Sequence, residues 1–291
     1  MPEFETPEPI SVVIELVVGD VRIAAGDRPV TVVELRPSDR ARRDDVSAAE
    51  QARVEYDAGM LRVKTARRWR SFSPFSDGGS IDVDIGLPAG SQVTGETTMG
   101  GFRCTGTLGE CRLKTVIGDI HLEQAAAVKL TTAKGQVNVE RVSGDAELST
   151  GAGTIRVGEI DGAALIKNSN GESRVGEVTG ALQVKAANGD IAIEQSHASL
   201  MVKTANGDIR LGAVEHGSVV AETGFGAVEI AIPDGIAAWL DLNTRFGHVR
   251  NTLDAAEPPD PDDGKVEVRA RTGFGDITIR RCYPLTVSAA G

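Results

Sequence analysis

The sequence predicts an all-β fold: a single-chain β-solenoid of stacked two-strand repeats, each about 18 residues long, with a divergent β-rich cap at the amino-terminal end. Three observations predict it. A glycine recurs at nearly constant spacing through the middle of the chain, and alternating apolar residues follow each of these glycines. The chain has 34 glycines in 291 residues and 41% hydrophobic but only 4% aromatic residues, which favours thin, stacked cores over one thick core.

Copies of one motif define the repeat. Four of them read TAKGQVNV, TGAGTIRV, AANGDIAI and TANGDIRL, at 132–139, 150–157, 186–193 and 204–211. The glycines of the regular series are Gly100, Gly118, Gly135, Gly153, Gly171, Gly189 and Gly207, and looser copies follow at Gly226, Gly247 and Gly275. A period of this length is typical of stacked repeat units.

Each repeat carries two short strands. Residues two and four places after the glycine are apolar, as in Ile209 and Leu211, and a second alternating pair ends the repeat, as in Leu200 and Val202. Asn-Gly pairs between them supply turn residues that accept positive φ. One repeat cannot bury its own apolar face, so neighbouring repeats must stack about 4.8 Å apart. The side chains expected to point inward include those of Val184, Val202, Ile191 and Ile209.

The first 95 residues are β-like but lack the regular repeat. We interpret 1–95 as a cap, because the ends of a solenoid need protection from edge pairing. Strands are expected at 11–24, 30–35 and 81–85, a hairpin at 53–64 and one short helix at 45–52. The repeat domain is then expected at 96–283.

Three further segments complete the domain prediction. The run AAEPPDPDDG at 255–264 is expected to be a solvated loop, because proline and adjacent carboxylates resist strand pairing. Residues 284–291 are expected to be a disordered tail. The stretches IGLPAGS at 85–91 and IAIPDGI at 230–236 resemble each other, which indicates that similar modules flank the regular stack.

Charge and composition argue against several classes of protein. The formal net charge of -11 argues against a general nucleic-acid binder, since phosphate contacts need clustered cations. The run RRWRSFSPF at 67–75 interleaves cations with aromatic residues, but it is short and isolated, and a packed cap loop is favoured. The first ten residues hold three Pro and three Glu and no signal-peptide core, and no transmembrane span follows, which favours a cytoplasmic location.

Residue types that carry chemistry are few and scattered. Cys104, Cys111 and Cys282 form an odd set without CxxC spacing, which predicts free thiols, with Cys104 and Cys111 buried. The four histidines stand singly, so neither a zinc site nor any cofactor is expected.

Aspartates that follow the turn glycines suggest two alternatives, calcium binding and catalysis; they are Asp119, Asp190, Asp208 and Asp276. Calcium-binding β-rolls repeat every nine residues or so with paired glycines, unlike this chain, which favours a role as polar turn residues. Asp190 and Asp208 would stand about 4.8 Å apart, near the carboxylate separation of retaining glycosidases. Stacking alone produces that distance, so an enzyme is not favoured.

The motifs TANGDIRL (204–211), TGFG (223–226) and LPAG (87–90) resemble a bacterial family labelled putative adhesins, domain of unknown function 4097. The resemblance covers nearly the whole chain and is to cytosolic, actinobacterial-type members. It implies β-strand repeats, no established function and no catalytic residues. The adhesin label implies surface display, which the absence of a signal peptide or anchor argues against.

We predict a non-enzymatic scaffold or protein-interaction module, a monomer or small homo-oligomer whose partner is another protein. A filament-forming solenoid and a carbohydrate-active β-helix enzyme are the alternatives. No nucleic-acid partner and no membrane span are expected.

Two outward columns of cations are the candidate interaction face. The first column lies three places after each turn glycine and holds Arg103, His121, Arg156, Arg174, Arg210 and Arg250; the second holds Lys114, Lys167, Lys185 and Lys203. The candidate site residues are Arg156, Arg174, Arg210, Lys167, Lys185 and Lys203. Like charges on adjacent repeats repel, so the columns either recruit carboxylates such as Glu159 and Glu177 or stay open to an anionic partner, preferably an acidic protein segment.

Overall fold

The structure is a computed structural model that describes residues 2–65, 79–253 and 265–282. Strands dominate these ranges, which confirms the predicted all-β class, and their one helix is α1 (Arg43–Gln51), close to the predicted 45–52. In the same ranges, no helix is long and apolar enough to cross a membrane. The predicted loops at 67–75 and 255–264 and the tail at 284–291 lie outside the described residues.

The chain divides into two compact units, Met1–Gly153 and Thr154–Gly291. The described strands of the first unit are β1 (Glu3–Glu5), β2 (Ser11–Glu15), β3 (Val21–Gly26), β4 (Val30–Pro37), β5 (Arg53–Asp57), β6 (Met60–Lys64), β7 (Ile81–Pro88), β8 (Gln92–Met99), β9 (Phe102–Ile117), β10 (Ile120–Lys134), β11 (Val137–Val142) and β12 (Ala146–Ala152).

The described strands of the second unit are β13 (Ile155–Ile160), β14 (Ala164–Asn170), β15 (Ser173–Val178), β16 (Leu182–Asn188), β17 (Ile191–Ser196), β18 (Leu200–Asn206), β19 (Ile209–Val214), β20 (Gly217–Phe225), β21 (Val228–Pro233), β22 (Ala237–Phe246), β23 (Val249–Asn251), β24 (Lys265–Phe274) and β25 (Ile277–Cys282).

In the first unit, parallel strands stack on two faces. One face runs β6, β2, β8, β9, β10, β12, and the other runs β7, β3, β9, β10, β11. Antiparallel strands cover the outer edges of β6 and β7, because β5 pairs with β6 as the predicted hairpin and β4 pairs with β7. β1 in turn pairs with β4. The short β1 and the whole of β8 were not among the predicted strands.

The second unit is a stack of rungs, a rung being one strand on each face. The first face runs β13, β15, β17, β19, β21, β25, β23, and the second runs β14, β16, β18, β20, β24, β22. All of these pairings are parallel. Residues 18 apart pair in the regular part, as Val184 pairs with Val202, so the sequence period is the length of one rung.

The order of rungs departs from the order of the chain near one end of each unit. In the second unit the last rung in sequence, β24 with β25, lies between β20 with β21 and β22 with β23. In the first unit β2 with β3 lies between β6 with β7 and β8 with β9. The similar stretches 85–91 and 230–236 contain the turns that skip the inserted rung, with Gly90 at φ 80° and Gly235 at φ 81°.

The apolar core is the column of inward side chains predicted from alternation. Val184, Val202, Ile191 and Ile209 are all buried, which confirms their assignment. Cys104 and Cys111 are buried free thiols, as expected. Burial raises the pKa of Cys111 to about 12 and that of Cys104 still further, so neither is a reactive thiolate near neutral pH.

Buried threonines explain why the motif reads Thr-x-x-Gly. The Thr204 hydroxyl donates to the carbonyl oxygen of Gly189 on the preceding rung, and Thr223 donates in the same way to Gly207. Ala186 occupies the threonine position of its repeat and cannot donate to the Gly171 carbonyl oxygen. The side-chain amide of Asn168 donates to that oxygen instead, at 2.9 Å. These bonds satisfy carbonyl groups that would otherwise be buried at the turn without a partner.

Candidate functional site

The predicted lysine column lies on the second face of the second unit. Lys167 pairs in register with Lys185, and Lys185 with Lys203. The column continues beyond the predicted residues, because Lys203 pairs with Glu222 and Glu222 with Arg271. Alternation points these side chains away from the core, opposite the buried valines.

A shallow, open groove of about 740 Å³ follows the lysine column. Its charged side is formed by Lys185, Lys203, Glu222 and Arg271, and Arg245 and Asn243 line it on the end strand β22; the small residues Ala205, Gly224 and Gly273 also line it. We call this feature the lysine groove. Successive rungs supply its residues, so it runs along the stacking direction, across the strands.

The lysine groove is cationic although the whole chain is acidic. It is lined by four cations, Lys185, Lys203, Arg245 and Arg271, and by one carboxylate, that of Glu222. Lys203 Nζ lies 2.8 Å from Glu222 Oε2. Arg271 has a looser contact, with 3.9 Å between its Nη2 atom and Asp241 Oδ2.

Two of the groove cations have no counter-charge within the described part of the chain. Among the described residues, no carboxylate lies within 4.0 Å of Lys185 or Arg245. The exposed Lys167, next in the column, is likewise unpaired within those residues. Uncompensated charges along a groove raise the local concentration of an anionic ligand.

The predicted arginine column lies on the first face and is compensated internally. Arg156 pairs in register with Arg174, whereas Ala192 separates Arg174 from Arg210. Arg174 Nη2 lies 2.8 Å from Glu172 Oε1, and the corresponding Arg156 distance to Glu172 Oε2 is 3.8 Å.

Arg210 Nη2 lies 3.1 Å from Asp208 Oδ2. The carboxylates that meet the arginines therefore directly follow turn glycines. The arginine column thus recruits carboxylates, one of the two expected alternatives, but Glu177 is not among them, because Glu177 binds His197.

The other predicted column members are not brought into the lysine groove. Arg103 and His121 pair in register in the first unit, where Lys114 contacts Glu96 at 2.9 Å. Arg250 lies on β23, in register with Thr278.

The turn aspartates accept backbone hydrogen bonds from the next rung. Asp190 Oδ1 accepts from the Asp208 amide at 2.9 Å, and Asp208 Oδ1 accepts from the Ala227 amide at 2.9 Å. Asp119 and Asp276 accept in the same way from Gln136 and His248. The hydrogen bond from His248 lowers the pKa of Asp276. This arrangement supports the turn role favoured from the sequence.

A histidine bridges two glutamates in the second unit, a feature that the sequence analysis missed. His197 Nδ1 lies 2.7 Å from Glu215 Oε2, and its Nε2 lies 2.9 Å from Glu177 Oε1. Both ring nitrogens are donors only in the imidazolium form. Burial lowers the pKa of His197, but the hydrogen bonds to Glu177 and Glu215 outweigh it, and the pKa is raised above its ordinary value.

We expect His197→Gln to lower the melting temperature more at about pH 5.5 than at about pH 8.5. A raised folded-state pKa gives stability that is fully present below the unfolded pKa of about 6.5 and is lost as pH rises through the folded value. Thermal melts of parent and variant at both pH values check this, with the exposed His216→Gln as control. Equal losses at the two pH values would show that the bridge does not depend on the charge of the imidazole.

Comparison with known proteins gives a family. A family model described as Toastrack DUF4097 matches residues 11–281. Similar solved structures include putative adhesins from Parabacteroides merdae ATCC 43184 (8% identity, TM-score 0.42) and Bacteroides fragilis NCTC 9343 (13%, 0.35), and a putative lipid binding protein from Parabacteroides distasonis ATCC 8503 (12%, 0.34). Each match covers 97% of this chain and 95% of the other chain. No curated protein matches the sequence.

Proposed function

The chain belongs to the Toastrack DUF4097 family, as its repeats predicted, and from that premise we propose that it is a non-enzymatic binding module. Its lysine groove holds an extended, acidic segment of a partner protein. The observation that carries this proposal is Lys185, which has no counter-charge among the described residues and is continued along the column by the equally unpaired Lys167, in a chain that is acidic as a whole.

The groove has dimensions that suit an extended segment. From Lys185 to Arg271 it crosses three rung steps, about 14 Å at about 4.8 Å per step. An extended chain rises about 3.3 Å per residue, so roughly five residues span this length. Two or three acidic side chains in such a segment would reach Lys185, Lys203 and Arg271, and Gly224 and Gly273 leave room for its backbone.

The rival functions have less support. Asp190 and Asp208, the pair considered for glycoside hydrolysis, are already engaged by backbone amides at the turns. A glycan activity screen distinguishes the binding module from a carbohydrate-active enzyme. A size measurement in solution distinguishes it from a filament-forming solenoid. The proposal also places the module in the cytoplasm, where free thiols such as Cys104, Cys111 and Cys282 persist.

We expect the triple variant Lys167→Glu, Lys185→Glu, Lys203→Glu to weaken binding of a fluorescent octaglutamate peptide at least about tenfold, which is about 1.4 kcal/mol. Fluorescence anisotropy at low ionic strength measures the affinity, and added salt should weaken binding to the parent protein. The melting temperature should change little, because exposed charges contribute little to stability.

The arginine column supplies a matched control. Arg156→Glu, Arg174→Glu, Arg210→Glu changes the same number of charges in the same unit but on the other face. Under the proposal this variant keeps most of the affinity, since its arginines already contact Glu172 and Asp208. Equal losses in the two triple variants, or parent affinity that is insensitive to salt, would contradict the groove as the site.

A further inference from the structure

The end rung of the second unit, β22 with β23, pairs on one side only within the described residues. β22 pairs with β24, and β23 pairs with β25. The carbonyl oxygens of Phe246 and His248 accept from the amides of Gly275 and Ile277. Backbone groups alternate in direction along a strand, so those of the odd-numbered β22 residues point to the open edge. An open edge of this kind is a template for pairing with another chain.

The core is incompletely covered at this end. Ala238, Leu240 and Leu242 pair in register with residues of β24 that are fully buried, yet they are themselves only half-buried. Trp239 and Phe246 are 57% and 59% exposed. Phe246 stacks on Phe274 at 4.7 Å, and Phe274 stacks on Phe225 at 4.8 Å, so Phe246 is the outermost ring of the ladder.

We infer that β22 pairs antiparallel with β22 of a second copy of this chain, about a two-fold axis at Asn243, to form a closed homodimer. In this register Asp241 lies opposite Arg245 of the second copy, and the reverse pair forms by symmetry. Leu240 lies opposite Phe246 of the second copy, so these two incompletely buried apolar side chains cover each other in the dimer.

We chose this register on two grounds: the direction in which the backbone groups of β22 point, and the charges that meet across the interface. Only pairings of odd with odd residues bring the edge backbone groups together, and a two-fold axis at Asp241 would place two carboxylates opposite each other. The axis at Asn243 gives two ion pairs and no like-charge pair. A two-fold contact uses the edge on both copies and leaves none for a third, which favours a dimer over a filament.

Charge exchange on the full chain tests the dimer and its register. Sedimentation velocity over a range of concentrations should show a dimer for the parent, and Asp241→Arg and Arg245→Asp should each weaken it at least about tenfold. The double variant, Asp241→Arg with Arg245→Asp, should restore the affinity, because both pairs form again with reversed polarity.

Because Asp241→Arg also removes the contact between Asp241 and Arg271, a second variant changes only the backbone of the open edge. Asn243→Pro removes an edge amide without removing a bond to β24, and should give a monomer with an unchanged β spectrum. A parent that stays monomeric, association that increases beyond a dimer, or a double variant as weak as the single ones would overturn the inference. The triple lysine variant should dimerise normally, since the inference does not depend on the groove's ligand.

Discussion

Val202→Asp should destabilise the second unit by about 3 to 5 kcal/mol, because it places a carboxylate without a partner between two rungs. Val202 is fully buried and pairs with Val184 on one side and Ala221 on the other. The core at this position is two strands thick, so the charge has no route to solvent without separating the strands. Urea denaturation followed by circular dichroism measures the loss.

The neighbouring residue is the control for that substitution. Met201 lies on the same strand, points outward and is partly exposed. Met201→Asp should therefore cost less than about 1 kcal/mol. Similar losses for the two variants would mean that the inward and outward assignments along β18 are wrong.

Gly207→Ala should cost more than about 3 kcal/mol, because two separate penalties act at this turn. Gly207 has φ 142°, a conformation that residues with a side chain rarely adopt. A Cβ atom there would also overlap the carbonyl group of Gly189 on the adjacent rung, and that backbone cannot move without breaking the stack.

Gly235→Ala separates the two penalties. Gly235 also has positive φ, at 81°, but an added Cβ atom would meet nothing within 4 Å. This control should cost about 1 kcal/mol, the penalty of the backbone conformation alone. Equilibrium unfolding of both variants gives the comparison, and equal costs would show that close stacking of the glycines does not constrain the turn.

The regular part of the fold could be predicted because each repeat contains both the apolar alternation of its strands and the glycine of its turn. The alternation around Gly189 and Gly207 assigned the buried faces of Ile191, Ile209 and Val202 correctly, since a strand period of two leaves no other way to bury them. The positions of the lysine and arginine columns followed from the same alternation.

The order of the end rungs could not be predicted, because the sequence of a strand and its turns does not indicate which other strand it will pair with. Arg271 belongs to the lysine groove although Lys203 lies 68 positions earlier in the chain, and only the insertion of β24 between β20 and β22 brings them together. Similarly, the bond between Asn168 and the Gly171 carbonyl oxygen had no signal beyond the missing hydroxyl at Ala186.

The sequence also did not predict which carboxylates contact the cations of the two columns. Glu177 stands near the arginine column in sequence, but the turn geometry directs it to His197. Which of several nearby carboxylates meets a given cation depends on side-chain direction at the turns, and a period of repeats does not specify that direction.

Lysine footprinting shows directly whether the lysine groove is the binding face. Reductive methylation of the parent protein, with and without the octaglutamate peptide, is read residue by residue by mass spectrometry. We expect the peptide to protect Lys185 and Lys203 and to leave Lys129 as reactive as before, because the Lys129 Nζ atom lies in the first unit, 2.7 Å from Glu147 Oε2. Equal protection of all three lysines, or protection of none while the peptide is bound, would contradict it.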